Sequence, residues 1–155
     1  MWNSKRSATL SLYVCFVFLA ILTAGLFVGP WTVKMWLCFY RGFAEDSAVL
    51  SRMVKLFAVC YYPCSVFAYV TLYSLIKLLG NIRKGEIFIF GNVKCLRRIS
   101  WCCFAVALIT FVGGIQYLPY LFVAVAAGFV GLMLRVVKNV MENAVELKTE
   151  NELTI

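Results

Sequence analysis

Seven cysteines and seven carboxylates are the side chains of this chain with obvious chemical potential, because the sequence contains no histidine. Histidine is the usual general base near neutral pH and the commonest transition-metal ligand. Cys60 and Cys64 lie one helical turn apart in an apolar stretch. Together with either cysteine of the pair 102–103 they could bind a soft ion such as Cu(I). The chain has no C-x-x-C motif, and cysteine in an apolar helix behaves as a small hydrophobic residue. We therefore predict neither a metal ion nor a cofactor.

The carboxylates lie outside the long apolar stretches. Glu45 and Asp46 are adjacent in one connecting segment, Glu86 lies in another, and the rest follow residue 141. Coupled transporters relay protons or ions through ionisable residues inside their spans, and no carboxylate is available there. The pair Glu45 and Asp46 is the one candidate for acid chemistry outside the apolar stretches, although adjacent acids in a loop are usually only solvated. We predict that the protein is not an enzyme.

The composition is that of a membrane protein. Of 155 residues, 63% are hydrophobic and 14% are charged, against about 45–50% and about 25% in soluble domains. The mean hydropathy is +0.89. A water-soluble globule of this size needs more polar surface than these residues supply, so we expect a single membrane domain over residues 1–155.

Three apolar stretches predict four transmembrane helices. Spans 7–29 and 56–77 are long enough, at about 1.5 Å per residue, to cross a hydrocarbon core of about 30 Å. The first is too long for the apolar part of a signal peptide and lacks a cleavage site, so we expect it to be retained. The third stretch is too long for one crossing and contains the turn sequence GGIQYLP. We divide it into spans 99–113 and 119–137, with a re-entrant hairpin as the alternative. The predicted fold is an all-α integral membrane protein with four transmembrane helices and a cytoplasmic C-terminal helical extension.

The distribution of Lys and Arg predicts the topology. Eleven of the 15 cations fall at the N-terminus, in the loop 78–98, in the tail 138–155, or beside these segments. The positive-inside rule then places both termini and the loop on the cytoplasmic side of the cell membrane, and the segment 30–55 outside as a loop. The aromatic residues of that outer loop favour interfacial anchoring, with a ligand-binding cage as the alternative. Topology thus explains most of the net charge of +8, and we predict the lipid bilayer as a partner and no direct binding of nucleic acid.

The cytoplasmic loop and tail carry charges of opposite sign. From residue 80 to 98 there are five cations and one carboxylate, and from residue 135 onward three cations and four carboxylates. The tail has apolar residues at helical spacing, which predicts that the fourth span continues as an amphipathic cytoplasmic helix. The opposite charges lead to the hypothesis that this tail folds back on the loop. The stretch 87–90 is a candidate short strand or membrane-contacting turn, and Asn92 a candidate N-cap of the third span. The cations of 94–98 are expected to contact anionic lipid, with docking of an acidic protein segment as the alternative.

Small residues at helical spacing predict close helix packing. Gly25 and Gly29 form a G-x-x-x-G step, and two A-x-x-x-G steps in the fourth span end at Gly128 and Gly131. Such faces allow two helix backbones to approach closely. We expect them to pack inside the protomer, with a homo-oligomer as the alternative.

Three stretches of the loop and tail carry a family resemblance. They read LLGNIRKGEIF at 78–88, NVKCLRRI at 92–99, and an ending that runs from RVVKNV at 135–140 to ENELTI at 150–155. In these motifs, and in its order of features, nearly the whole chain resembles the DUF2975 family of uncharacterised bacterial membrane proteins. The resemblance implies a four-span protein, often encoded beside a small helix-turn-helix regulator of the Cro/CI type, and hence that regulator as a partner.

We therefore predict a non-enzymatic membrane protein whose loop and tail form a cytoplasmic face that docks or tethers such a regulator. The alternative is a small transporter, channel or immunity-type protein that acts within the bilayer. The candidate interaction residues are Lys84, Gly85, Glu86, Phe88, Asn92, Arg97, Arg98, Glu142 and Glu146.

Overall fold

The structure is a computed structural model that describes residues 4–42 and 48–153 of the chain. It contains four helices, α1 (Ser4–Arg41), α2 (Ala48–Arg83), α3 (Phe90–Gly114) and α4 (Pro119–Leu153). No strand occurs within the described ranges. All four helices are long and apolar enough to cross a membrane. The prediction of an all-α protein with four candidate membrane spans is confirmed.

The helices extend well beyond the spans expected for them. α1 has 38 residues and α2 has 36, or about 57 and 54 Å. Because α1 continues through Pro30 and α2 begins at Ala48, much of the expected outer loop 30–55 is helical. A proline removes one backbone donor from a helix. The residues that follow Pro30 are apolar, and in an apolar environment their backbone groups are best satisfied by a continuing helix. Gly42, just after α1, has φ 63°, the left-handed conformation common directly after a helix.

The helices pack in chain order, α1 on α2, α2 on α3 and α3 on α4. Among the described residues, α1 makes no close backbone approach to α3 or α4, nor α2 to α4. α3 is the most buried of the four, whereas α1, α2 and α4 expose many large apolar side chains. Such a surface is unfavourable in water and suits a lipid environment.

The G-x-x-x-G step of α1 packs against one aromatic ring of α2. A Cβ atom at Gly25 would lie 2.7 Å from the hydroxyl of Tyr61, and one at Gly29 would lie 3.4 Å from the same ring. A hydrogen bond of 2.9 Å between the hydroxyl groups of Thr23 and Tyr69 also joins α1 to α2. The small residues of α1 therefore make room for a side chain of the same protomer.

The small residues of α4 lie against α3. The hydroxyl of Ser100 donates a hydrogen bond of 2.8 Å to the carbonyl oxygen of Gly131. A Cβ atom at Gly131 would lie 3.3 Å from Phe104, and one at Gly128 would lie 3.8 Å from Ala107. This seam holds α3 and α4 together as an antiparallel pair.

The turn between α3 and α4 depends on two glycines. A Cβ atom at Gly113 would lie 2.9 Å from the sulfur of Cys60, and one at Gly114 would lie 3.0 Å from the backbone nitrogen of Leu121. The carbonyl of Gly113 also accepts the backbone N–H groups of residues 116 and 117, both at 3.1 Å. Larger side chains have no room here, and Pro119 begins the next helix with the fixed φ that this position favours.

An apolar cluster ties α2, α3 and α4 together at the end of the molecule where the loop 84–89 lies. Its buried members are Leu78, Cys95 and Leu96, and the side chains packed on them are Leu75, Ile82, Leu134 and Met141. We call this end the basic end. It comprises the last turns of α2, the loop 84–89, the first turns of α3 and the part of α4 beyond residue 134.

Candidate interaction site

One buried side chain holds the loop between α2 and α3. Asn92 is fully buried, with 0% of its surface exposed. Its Nδ2 donates hydrogen bonds of 2.8 Å to the carbonyl oxygens of both Glu86 and Ile87. Its Oδ1 accepts a third bond of 2.8 Å from Nδ2 of Asn81 in α2. We call these four residues the asparagine clamp. A buried amide that is satisfied in this way fixes the path of the loop.

The prediction that Asn92 caps α3 is wrong. Ile89 occupies the cap position with extended backbone angles and makes no side-chain cap hydrogen bond, while Asn92 lies in the first helical turn. The backbone N–H of Asn92 bonds the carbonyl of Ile89 at 3.0 Å, and its side chain is used for the clamp. The stretch 87–90 is irregular up to the start of α3 and forms no strand.

The other side of the loop is a tight turn that requires glycine. Gly85 has φ 87°, which favours a residue without a Cβ atom. Its N–H bonds the carbonyl of Ile82 at 3.0 Å, and the N–H of Glu86 bonds the carbonyl of Asn81 at 3.0 Å. Asn81 therefore serves the loop twice, through its backbone carbonyl and through its side chain.

The residues between these two anchors are exposed. Lys84, Gly85, Glu86 and Phe88 all lie at the surface, and 46% of Phe88 is exposed. The structure thus presents a cation, a carboxylate and an aromatic ring on a backbone fixed from both sides. Such a surface binds a partner at low entropic cost, because its conformation exists before binding.

A charged contact joins α3 to the far part of α4. Nη2 of Arg97 lies 3.1 Å from Oε1 of Glu142, and Nζ of Lys138 donates to Oε2 of the same carboxylate. The hydrogen bond from Lys138 lowers the pKa of Glu142 below its ordinary value, and the charges of Lys138 and Arg97 add to this against an opposing effect of burial. We call these three residues the ion-pair bridge. α4 reaches it as a continuous helix rather than by folding back.

Two further candidates, Arg98 and Glu146, lie exposed on α3 and α4. Neither takes part in a salt bridge within the described ranges. Of the candidate residues, the structure brings together Arg97 with Glu142, and Asn92 with the backbone of Glu86. In the described part of the chain, no three Cys, Asp or Glu residues form a group that could hold a metal ion.

The profile of a family described as "Protein of unknown function (DUF2975)" matches residues 38–155. The chain belongs to this family. The match confirms the resemblance and includes the whole of α2, α3 and α4, with the asparagine clamp and the ion-pair bridge. No curated protein and no solved structure matches the chain.

The structure adds residues to this candidate site that the sequence analysis missed. Lys138 precedes Glu142 by four positions on one helix, a spacing that predicts a side-chain pair. Trp101 lies beneath Arg135, whose guanidinium carbon is 5.8 Å from the ring centroid. No sequence signal pairs Asn81 with Asn92, because their contact depends on the path of the loop between them.

Proposed function

We propose that this DUF2975 chain is a non-enzymatic multi-pass protein of the bacterial cell membrane that docks a helix-turn-helix regulator at its basic end. The observation that carries the proposal is the asparagine clamp, which holds an exposed loop in one conformation. Three hydrogen bonds of one buried amide hold this loop in a single conformation. A loop that presents Lys84 and Phe88 to a partner gains affinity from such order, because little entropy is lost on binding.

The far part of α4 adds apolar surface beside the loop. Beyond the predicted span 119–137, large parts of Val140 and Leu147 are exposed. Exposed apolar side chains outside the bilayer are a feature of protein-binding surfaces. With the exposed cations Lys84 and Arg98, this surface suits a partner that offers an apolar patch edged with carboxylates.

The distribution of charge supports a cytoplasmic basic end. The cations Arg83, Lys84, Lys94, Arg97 and Arg98 lie within it. By the positive-inside rule, such a concentration stays on the cytoplasmic side. An epitope tag fused after residue 155 should accordingly resist external protease in intact cells and become sensitive after permeabilisation.

The choice of partner is supported by the family resemblance, which implies a neighbouring gene for a Cro/CI-type regulator. A regulator held at the membrane through this face would be kept from DNA until a signal released it. The protein itself then needs no contact with nucleic acid.

The test is co-purification of the full chain, in detergent, with the regulator encoded beside its gene. We expect Lys84→Ala with Phe88→Ala to weaken binding roughly tenfold or more. The matched control is Lys34→Ala with Trp31→Ala, which removes an exposed cation and an exposed aromatic ring from α1. Binding that survives both replacement of residues 84–88 by a Gly-Ser linker and removal of residues 143–155 contradicts the proposal.

A second candidate function is a small transporter or channel, and one cavity favours it. At the end opposite the basic end, a cavity of about 580 Å³ lies between α1, α2 and the turn of α3 and α4. Its polar lining includes Arg52, Gln116 and Tyr120. Solute flux in proteoliposomes that is abolished by Arg52→Ala or by Gln116→Ala, at two residues that line this cavity, would support this candidate, and an absence of flux for the native chain would contradict it.

A further inference from the structure

A second, smaller cavity lies at the basic end between α3 and α4. Its volume is about 240 Å³, below the range of about 300–1,000 Å³ typical of drug-sized ligand sites. It is lined by Arg97, Ser100 and Trp101 of α3 and by Arg135, Lys138 and Asn139 of α4. The cavity therefore suits a compact polar group rather than a large organic molecule.

The charges around the cavity do not cancel. Arg97 and Lys138 share the single carboxylate of Glu142, and Arg135 lies over the ring of Trp101. Three cations thus face one anion. Only 13% of the Lys138 side chain is exposed, and its Nζ donates to Glu142 and, at 3.2 Å, to Oδ1 of Asn139, so its ammonium group is held in place beside the cavity. Guanidinium and ammonium groups around a small cavity are the donors that bind phosphate oxygens.

The position of the cavity along the helices corresponds to the boundary of the bilayer. No charged residue occurs in the sequence between Arg98 and Arg135, so the apolar part of α3 and α4 begins at the cavity. Trp101 is 61% exposed on the outer surface of α3, and tryptophan is enriched at the depth of lipid headgroups. A phosphate group at this depth belongs most simply to a lipid.

We propose that this cavity binds the phosphate group of an anionic phospholipid. Arg135 and Lys138 contact the phosphate oxygens, and Trp101 contacts the lipid where its acyl chains begin. Basic pockets between membrane helices are known sites for anionic headgroups. This site goes beyond the docking function and does not depend on it, because its ligand lies between two helices rather than on the exposed loop.

The test is native mass spectrometry of the full chain, in detergent, with added phosphatidylglycerol or phosphatidylcholine. We expect retention of phosphatidylglycerol in preference to phosphatidylcholine. Arg135→Gln with Lys138→Gln should weaken phosphatidylglycerol binding about thirtyfold, because both direct contacts to the phosphate oxygens are lost. The matched control is Lys77→Gln with Arg83→Gln, which removes the same charge from exposed positions of α2 that do not line the cavity. This control should change binding by less than about threefold.

A further variant gives an effect of opposite sign. Glu142→Gln removes the carboxylate that competes for Arg97 and Lys138, so phosphatidylglycerol binding should tighten by about fivefold. A variant that merely damaged the fold would not produce this gain. Circular dichroism of each variant provides the comparison of helix content.

Three outcomes would overturn the proposal. One is an equal loss in the cavity variant and in its control, which indicates general attraction to a basic surface. Another is the absence of a preference for phosphatidylglycerol. The third is displacement of the lipid by millimolar inorganic phosphate, which identifies a site for a soluble anion. The variant Arg135→Gln with Lys138→Gln is also tested for regulator binding, which separates the two proposals. Because its docking loop is unchanged, this variant should lose phosphatidylglycerol binding and retain regulator binding.

Discussion

The side-chain amide of Asn81 donates a hydrogen bond of 2.8 Å to the side-chain oxygen of Asn92, from the last turns of α2 to the first turn of α3. This bond completes the set made by Asn92, whose own amide group bonds the two carbonyls of residues 86 and 87. The loop between the helices is thus tied at its base and along its length. One fully buried side chain, Asn92, thus acts together with the backbone hydrogen bonds of the Gly85 turn to hold the loop.

Replacement of Asn92 should release the loop. Asn92→Ala removes three hydrogen bonds and leaves the amide of Asn81 without its partner, so we expect the free energy of unfolding to fall by about 2–4 kcal/mol. Asn143→Ala, at an exposed position of α4, is the control and should change it by less than about 0.5 kcal/mol. Titration with SDS measures both values, and hydrogen exchange of residues 84–89 should rise in Asn92→Ala alone. Unchanged exchange there would show that the clamp does not hold the loop.

Two buried serines in the apolar helices should respond to alanine in opposite ways. The hydroxyl of Ser74 is fully buried and has no hydrogen-bond partner among the described residues. The hydroxyl of Ser100 bonds the carbonyl of Gly131 across the seam of α3 and α4. We expect Ser74→Ala to leave stability unchanged or raise it by up to about 1 kcal/mol. Ser100→Ala should lower it by about 0.5–1.5 kcal/mol. SDS titration measures the free energy of unfolding of both variants. Equal changes in Ser74→Ala and Ser100→Ala would contradict this prediction.

Two glycines of the α3 and α4 hairpin should also differ. A Cβ atom at Gly114 would lie 3.0 Å from the backbone nitrogen of Leu121, which cannot move without shifting α4. Gly114→Ala should therefore destabilise the protein by about 1–3 kcal/mol. At Gly128 the nearest atom is the Cβ of Ala107 at 3.8 Å, an ordinary contact. Gly128→Ala should be neutral or stabilising by up to about 1 kcal/mol, because alanine favours the helix. Thermal unfolding in detergent compares them, and a larger loss at Gly128 would refute this packing.

Much of the fold follows from hydrophobicity alone. The apolar stretches locate four helices, and the residues from Gly113 to Pro119 mark the break between α3 and α4, because their conformational limits are local. The extension of α1 through Pro30 could not be read in this way. Proline usually ends a helix in water, whereas in an apolar environment the unpaired backbone groups of a broken helix cost more than one lost hydrogen bond.

Contacts of the candidate site could be predicted from the sequence only where they depend on local spacing or on net charge. Opposite charges in the loop and the tail direct attention to Arg97 and Glu142, which the structure joins. The role of Asn92 was misassigned, because a polar residue near a helix start suits a cap equally well until the path of the chain is known. Its pairing with Asn81 depends on how the loop returns, which is a tertiary property.

The ion-pair bridge should depend on pH through Glu142. The hydrogen bond from Lys138 lowers the pKa of this carboxyl in the folded state, so the ionised form is favoured by folding. A depressed folded pKa contributes stability that is present above the ordinary glutamate pKa, and this contribution is lost as the pH falls through the lower folded value. The contact between α3 and the far part of α4 should therefore be intact at neutral pH and weaken below about pH 4.5.

Carbon-13 NMR of glutamate carboxyl groups in detergent micelles checks this titration, with Glu142→Gln to assign the resonance. We expect the titration midpoint of Glu142 to lie below the ordinary glutamate value, and this lowering to shrink at high salt because exposed charges are screened. Glu142→Lys should also make the tail more sensitive to protease at pH 7, and Glu146→Lys should do so less. A midpoint of Glu142 at the ordinary glutamate value, together with an unchanged rate of tail cleavage in Glu142→Lys, would show that the bridge does not hold α4 against α3.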